Sequence, residues 1–161
     1  MKRAALAAAW LLLASAPRAE APHAHGVGKL DVALEGRRLT LELAAPLEDV
    51  LGFERRPGDD KERAALEAAA SYLKSGSAFV VSPAANCRVA DGTVEVAERG
   101  RGHFELAARL AYDCKEPHQA REIDAALLGQ YKRLKRLDVR VVTPKGQAAA
   151  RATPARRSFP L

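Results

Sequence analysis

Apolar and polar positions alternate along residues 29–44, as Leu30, Val32 and Leu34 and then Leu39, Leu41 and Leu43, with Glu35-Gly36-Arg37-Arg38 between the two runs. A period of two belongs to strands, so the pattern predicts a hairpin with one buried face. Residues 50–58 carry no clean period and end in Pro57-Gly58, which reads as a connecting loop. Asp59 and Asp60 then open a helix that runs to about residue 74. The acidic pair lies at the positive end of the helix dipole, Ala65, Leu66, Ala69, Ala70 and Leu73 share one face, and Ser75-Gly76 closes the element. A short alanine-rich helix of this kind is expected to pack on a sheet. A brief strand at 78–81 leads through Pro83 to a strand region at 87–97, where Asp91-Gly92 marks a turn or bulge.

Residues 104–114 form the third strong strand, with Phe104, Leu106, Ala108, Leu110, Tyr112 and Cys114 on one face. The stretch 120–128 fits a helix through Ile123 and Leu127 and a strand through Ile123, Ala125 and Leu127, and periodicity does not separate the two. Leu137, Val139, Val141 and Thr143 alternate in a further strand ended by Pro144-Lys145-Gly146, and residues 151–161 read as a polar, proline-punctuated tail. The fold class is therefore α+β and mostly β: antiparallel sheet with one short packed helix. Parity turns Cys114 inward and sets Cys87 beside Val89 on the inner face, so the two sulfurs can meet inside the domain.

The first residues change the picture of where the chain works. Lys2 and Arg3 precede an apolar run over residues 4–14 and a small-residue stretch to Ala21, the order of a cleavable secretory signal peptide. The run is too short for a membrane span, which needs roughly 20 residues, so no membrane insertion is expected. The expected organisation is a signal peptide at 1–21 and a single β-rich domain at 22–161, exported to the periplasm. An even pair of cysteines in an exported chain points to a Cys87–Cys114 disulfide rather than a thiolate metal site. With 26 basic and 20 acidic residues the formal charge is +6, and losing Lys2, Arg3, Arg18 and Glu20 with the leader leaves +4. That mild excess, with aromatics at 5%, gives no stacking platform for bases and no nucleic-acid partner; Lys132-Arg133 and Lys135-Arg136 read as a solvated face.

Four histidines limit imidazole chemistry to His23, His25, His103 and His118. His23 and His25, two apart, project to one side when extended and can approach a single ion; a solvated segment near the mature terminus explains the same pattern. His103 shares its strand face with Glu105, one nitrogen and one oxygen ligand at strand spacing, or a plain surface pair. His118 after Pro117 reads as a loop residue. Serines occur without a nucleophile elbow, Asp59 and Asp60 are explained by the helix start, and no phosphate-cradling glycine loop or His-Glu-x-x-His helix is present. No catalytic residues are nominated, and the chain is expected to bind rather than catalyse.

Ala24-His25-Gly26 opening the hairpin, Gly52-Phe53-Glu54 before Pro57, the spaced Cys87 and Cys114, and Thr143-Pro144-Lys145-Gly146-Gln147 resemble, in order and spacing, the ZrgA-like family of periplasmic zinc-uptake proteins. The resemblance covers nearly the whole mature chain and implies binding or delivery of zinc, or a similar divalent ion, beside a periplasmic metal-importer component. It assigns His23 and His25 to the family's amino-terminal histidine motif and His103 to the histidine preceding the strand that ends in the second cysteine. Glu54 or Glu105 would add a carboxylate. The resemblance also favours a strand at 123–128. The chain departs from the family pattern in three places. The histidine- and acid-rich insert between the cysteines is reduced to residues 94–102, Arg55 follows Gly-Phe-Glu where a histidine is common, and Ala107 replaces a further strand histidine. Two functions follow: a zinc-binding accessory of metal uptake through His23, His25, His103, Glu54 and Glu105, or a metal-free exported module that contacts a transporter component. Convergence of the histidines would favour the first.

Overall fold

The computed structural model describes residues 25–100 and 102–161, with Val27–Glu35 (β1) and Arg38–Pro46 (β2) forming the hairpin that the alternation predicts. Leu30, Val32 and Leu34 of β1 and Leu39, Leu41 and Leu43 of β2 are all buried. After β2 the chain does not pass directly into a loop: Leu47–Leu51 forms one helical turn (α1), with Leu47 fully buried beneath it. Gly52 ends that turn at φ 89°, a left-handed conformation that glycine adopts without a Cβ penalty, and its N–H donates to the Glu48 carbonyl at 2.9 Å. A five-residue turn is shorter than any window in which helical periodicity can be read, and the sequence pattern therefore missed it.

The helix Asp60–Lys74 (α2) has Asp59 as its N-cap, accepting the Glu62 N–H at 2.8 Å, and buries Ala69 and Leu73. It packs on the strands Cys87–Arg99 (β4) and His103–Cys114 (β5), as an alanine-rich face on a sheet should. Val80–Val81 (β3) precedes them. β4 and β5 are antiparallel with a register shift between Val89 and Asp91, the bulge signalled by Asp91-Gly92. The extra residue switches parity, so Cys87 and Val89 before it and Val94 and Val96 after it all pack against the core. Cys87 lies directly opposite Cys114 and the two are disulfide-bonded.

The ambiguous stretch resolves into Glu122–Asp124 (β6) followed by the short helix Leu127–Gln130 (α3), so the strand expected at 123–128 stops at Asp124 and Leu127 and Leu128 are buried from a helical turn. Arg136–Thr143 (β7) then runs parallel to β1, whereas the other strand pairs among the described residues are antiparallel. The polar tail is a further correction. Gly146–Ala152 (β8) pairs with β7, and Ser158–Pro160 (β9) pairs with β6 and buries Phe159. β8 is mostly alanine and shows no alternation, and β9 is three residues long, so neither carried a readable period. A six-stranded sheet, ordered β4-β5-β2-β1-β7-β8, and a three-stranded sheet, β3-β6-β9, share one cluster of buried side chains. Fully buried Leu30, Leu39, Leu41, Leu106 and Leu110 each contribute about 1.5–3 kcal/mol to that core.

Candidate metal centre

Strand register brings the site together. In β1 and β2, Lys29 is opposite Ala44, and four steps beyond that pair lead to His25 on one chain and Glu48 on the other. In β2 and β5, Pro46 is opposite Glu105, and two further steps reach Glu48 and His103. His25, Glu48 and His103 are therefore level at one end of three adjacent strands. The side chains of His25, Glu48 and His103 are exposed or half-buried there, so they gather where water and ions have access.

One ligand atom from each of His25, Glu48 and Glu54 lies within 4.8 Å of the others. His25 Nδ1 is 3.7 Å from Glu48 Oε2. Glu54, carried back toward the strands by the turn at Gly52, holds His103 Nδ1 at 2.9 Å through its Oε1. A single carboxylate thus lies beside the imidazoles of both His25 and His103. Ligands about 2.0–2.2 Å from one tetrahedral zinc are roughly 3.4 Å apart, so small side-chain rotations close the group on an ion. One nitrogen and two carboxylate oxygens suit zinc and harder divalent ions alike.

The backbone behind the group is fixed. Asp49, only 7% exposed, accepts the Gly26 N–H at 2.5 Å, and the Gly26 carbonyl accepts the N–H groups of Lys135 (2.8 Å) and Arg136 (3.0 Å). Gly26 has φ 79°, and a Cβ there would stand 3.2 Å from Lys135 Cγ. His25 is anchored through this neighbour, and its imidazole, with the side chain 59% exposed, is presented outward. Arg133 donates from Nη1 to the Glu48 carbonyl at 3.2 Å, across Gly52.

Of the residues nominated from sequence, His25 and Glu54 are brought together and His103 adjoins them through Glu54. His23 lies outside the described residues. Glu105 is paired with Arg99 (3.1 Å) and is not one of the three converging residues. His118 lies near Glu116, 3.7 Å away. Glu48 was not nominated; its one signal was the acidic pair Glu48-Asp49 directly after the hairpin, which has meaning only once the register is known. Arg55, which stands where a histidine is common in the family pattern, turns to Glu62 in two hydrogen bonds of 2.5 and 2.6 Å and stacks on Phe53 at 5.7 Å. Those bonds, with the Gly58 N–H, hold the Glu62 carboxyl below its ordinary range and the Arg55 guanidinium above its own. The arginine's charge is committed away from the site.

Among the described residues no helix is long and apolar enough to cross a membrane. No curated protein is similar enough in sequence to count as a relative. The model of one family, described as ZrgA family zinc uptake protein, matches residues 22–161. On that match, together with the disulfide between the two strands and the histidine that opens the hairpin, the chain belongs to the ZrgA family of zinc uptake proteins.

Proposed function

We propose that this is an exported, periplasmic accessory protein of metal uptake that binds one zinc ion, or a similar divalent ion, between His25, Glu48 and Glu54, and that it works by binding rather than catalysis. The observation that carries this reading is the convergence of those three side chains from separate segments onto one sheet end, in a chain of a zinc-uptake family. His103 has the place of an outer partner. Its hydrogen bond orients Glu54, as second-layer groups orient metal ligands elsewhere. Ligands on an exposed edge suit a carrier, which must release its ion as well as take it up. The leader at 1–21 and the disulfide support a periplasmic location.

Zinc titration by calorimetry on the oxidised mature chain tests the reading, beside His25→Ala, Glu54→Gln, His103→Ala and Glu105→Gln. Saturation near one ion per chain is expected. Removing His25 or Glu54 should abolish it, His103→Ala should weaken it by about 10–100-fold, and Glu105→Gln should bind as the parent does. The connection between β4 and β5 spans only 100–102, leaving no room there for the ligand-rich insert common in the family. If the parent binds no zinc, the chain is a metal-free interaction module and the search turns to a protein partner.

A further inference from the structure

The motif Thr143-Pro144-Lys145-Gly146-Gln147, which the metal site does not use, is the turn that delivers β8 to the edge of the six-stranded sheet. Antiparallel pairing turns the N–H and C=O groups of alternate residues away from the neighbouring strand, so an edge strand offers a ladder to another strand. The edges of the described sheets are not alike. β4 carries Arg88, Asp91, Glu95, Glu98 and Arg99, is interrupted by the bulge between Val89 and Asp91, and has α2 packed on it. β3 and β9 are two and three residues long. β8 instead pairs with β7 over seven residues without a register shift, holds no proline, and is exposed from Gly146 to Ala149. Its one charge, on Arg151, is engaged with Asp138 at 3.3 Å. Charges, bulges and shortness are the usual means of blocking an edge, and β8 lacks all three. The residues that precede His25 in the mature chain do not reach it. Ala149 is level with Arg140 and Asp31, and Asp31 is roughly 20 Å along β1 from His25 at about 3.3 Å per residue, whereas residues 22–24 span at most about 11 Å.

We propose that β8 pairs antiparallel with β8 of a second copy of this chain, about a two-fold axis through Ala149, joining two six-stranded sheets into one. The strand complements itself in that register. Gln147 falls opposite Arg151 of the copy, Ala148 opposite Ala150, and Ala149 opposite Ala149. Asp138 is opposite Arg151 and Val142 opposite Gln147 within each chain, so the order across the junction is Asp138, Arg151, Gln147, Val142 from either side. An amide oxygen thus meets each guanidinium, no like charges face each other, and alanine at the axis puts no bulk between the two ladders. Moving the axis to Arg151 would set two arginines together, and moving it to Gln147 would pair only the first residues of the strand. The proposal goes beyond the metal reading and does not rest on it, since β1 and β7 lie between β8 and the strands that carry Glu48 and His103.

Sedimentation equilibrium of the oxidised mature chain, from micromolar to millimolar concentration, tests it beside Gln147→Arg, Ala149→Lys and Ala149→Glu, each checked for folding by its melting curve. A reversible equilibrium between monomer and dimer is expected in the parent. Gln147→Arg sets like charges against Arg151 of the copy, and Ala149→Lys or Ala149→Glu alone sets like charges on the axis; each should raise the dissociation constant roughly tenfold. An equal mixture of Ala149→Lys and Ala149→Glu should recover association, because opposite charges then meet on the axis, and that recovery separates a broken interface from a misfolded variant. A chain that stays monomeric throughout overturns the proposal and leaves the edge to a strand of a different protein. A dimer that the substitutions leave unchanged, or a mixture that does not recover, places any association elsewhere and overturns it too.

Discussion

Asp49 does more for the site than its place in a short helical turn implies. It is a carboxylate with 7% of its surface exposed, and it accepts the buried Gly26 N–H directly behind His25. Replacing it with alanine leaves that N–H without its acceptor, which costs about 1–3 kcal/mol, and frees the residue that aims His25. Asp49→Ala should therefore lower the thermal midpoint and weaken zinc binding together. Asp49→Asn keeps an acceptor oxygen in the same place and should restore most of both. Calorimetry beside a melting curve checks this, and normal zinc affinity in Asp49→Ala would show that Gly26 does not position the imidazole. At this scale the site is only partly legible along the chain. His25, His103 and Glu54 stood out because histidines are few and a family pattern covered them, whereas Glu48 and Asp49 looked like ordinary surface acids.

At the scale of elements, α1 and Gly52 carry the chain from the end of β2 back to His103. Gly52 has φ 89°, where an L residue pays roughly 1–2 kcal/mol in steric strain, and a Cβ would displace Arg133 from the Glu48 carbonyl. Gly52→Ala should destabilise by about that amount in a denaturant titration and loosen zinc binding less than Glu54→Gln does, because the ligands remain. The bulge at Asp91 works in the same local way: one extra residue turns Val94 and Val96 toward the core and keeps Cys87 opposite Cys114. That bulge and the helix 60–74 were legible because each is announced by short-range chemistry, Asp-Gly in one and an acidic start with a Ser-Gly stop in the other. α1, β8 and β9 were not, being too short or too uniform in alanine for a period to show.

For the whole molecule, two features set the limits of stability. The Cys87–Cys114 bridge closes a separation of 27 residues, worth about 3 kcal/mol in the chain-entropy estimate, so reduction should lower the melting temperature by several degrees or more. Alkaline behaviour follows from the three tyrosines, Tyr72, Tyr112 and Tyr131. Burial pushes Tyr112 up to about 12, and burial with the neighbouring Tyr72 pushes Tyr131 up to about 12; Tyr72 is raised as well. Tyr112 is neutral while its hydroxyl donates to the Phe79 carbonyl at 3.2 Å. The unfolded chain ionises near its ordinary value while the folded chain does not, so this contribution is whole below about pH 10 and is lost as pH rises toward 12. For Tyr112 it is on the order of 2 kcal/mol. Tyrosinate absorbance should therefore rise late and together with unfolding, and a step near pH 10 in the folded protein would contradict it.

What the sequence determined by itself was whatever depends on neighbours along the chain: the alternating strands and their inner faces, the long helix with its ends, the inward cysteines, and the residue types available to hold an ion. Tertiary structure decided what depends on pairing between segments. Register between β1, β2 and β5 set His25, Glu48 and His103 level, a relation that no spacing along one strand encodes. The parallel return of β7 placed Arg133 and Lys135 against Gly26 and Gly52, making a rim of what reads locally as solvated charge. The physical reason is one of range: periodicity is imposed by the backbone of a single element, whereas a site on a sheet end is made by the cross-strand partners, and these are chosen by burial of the common core.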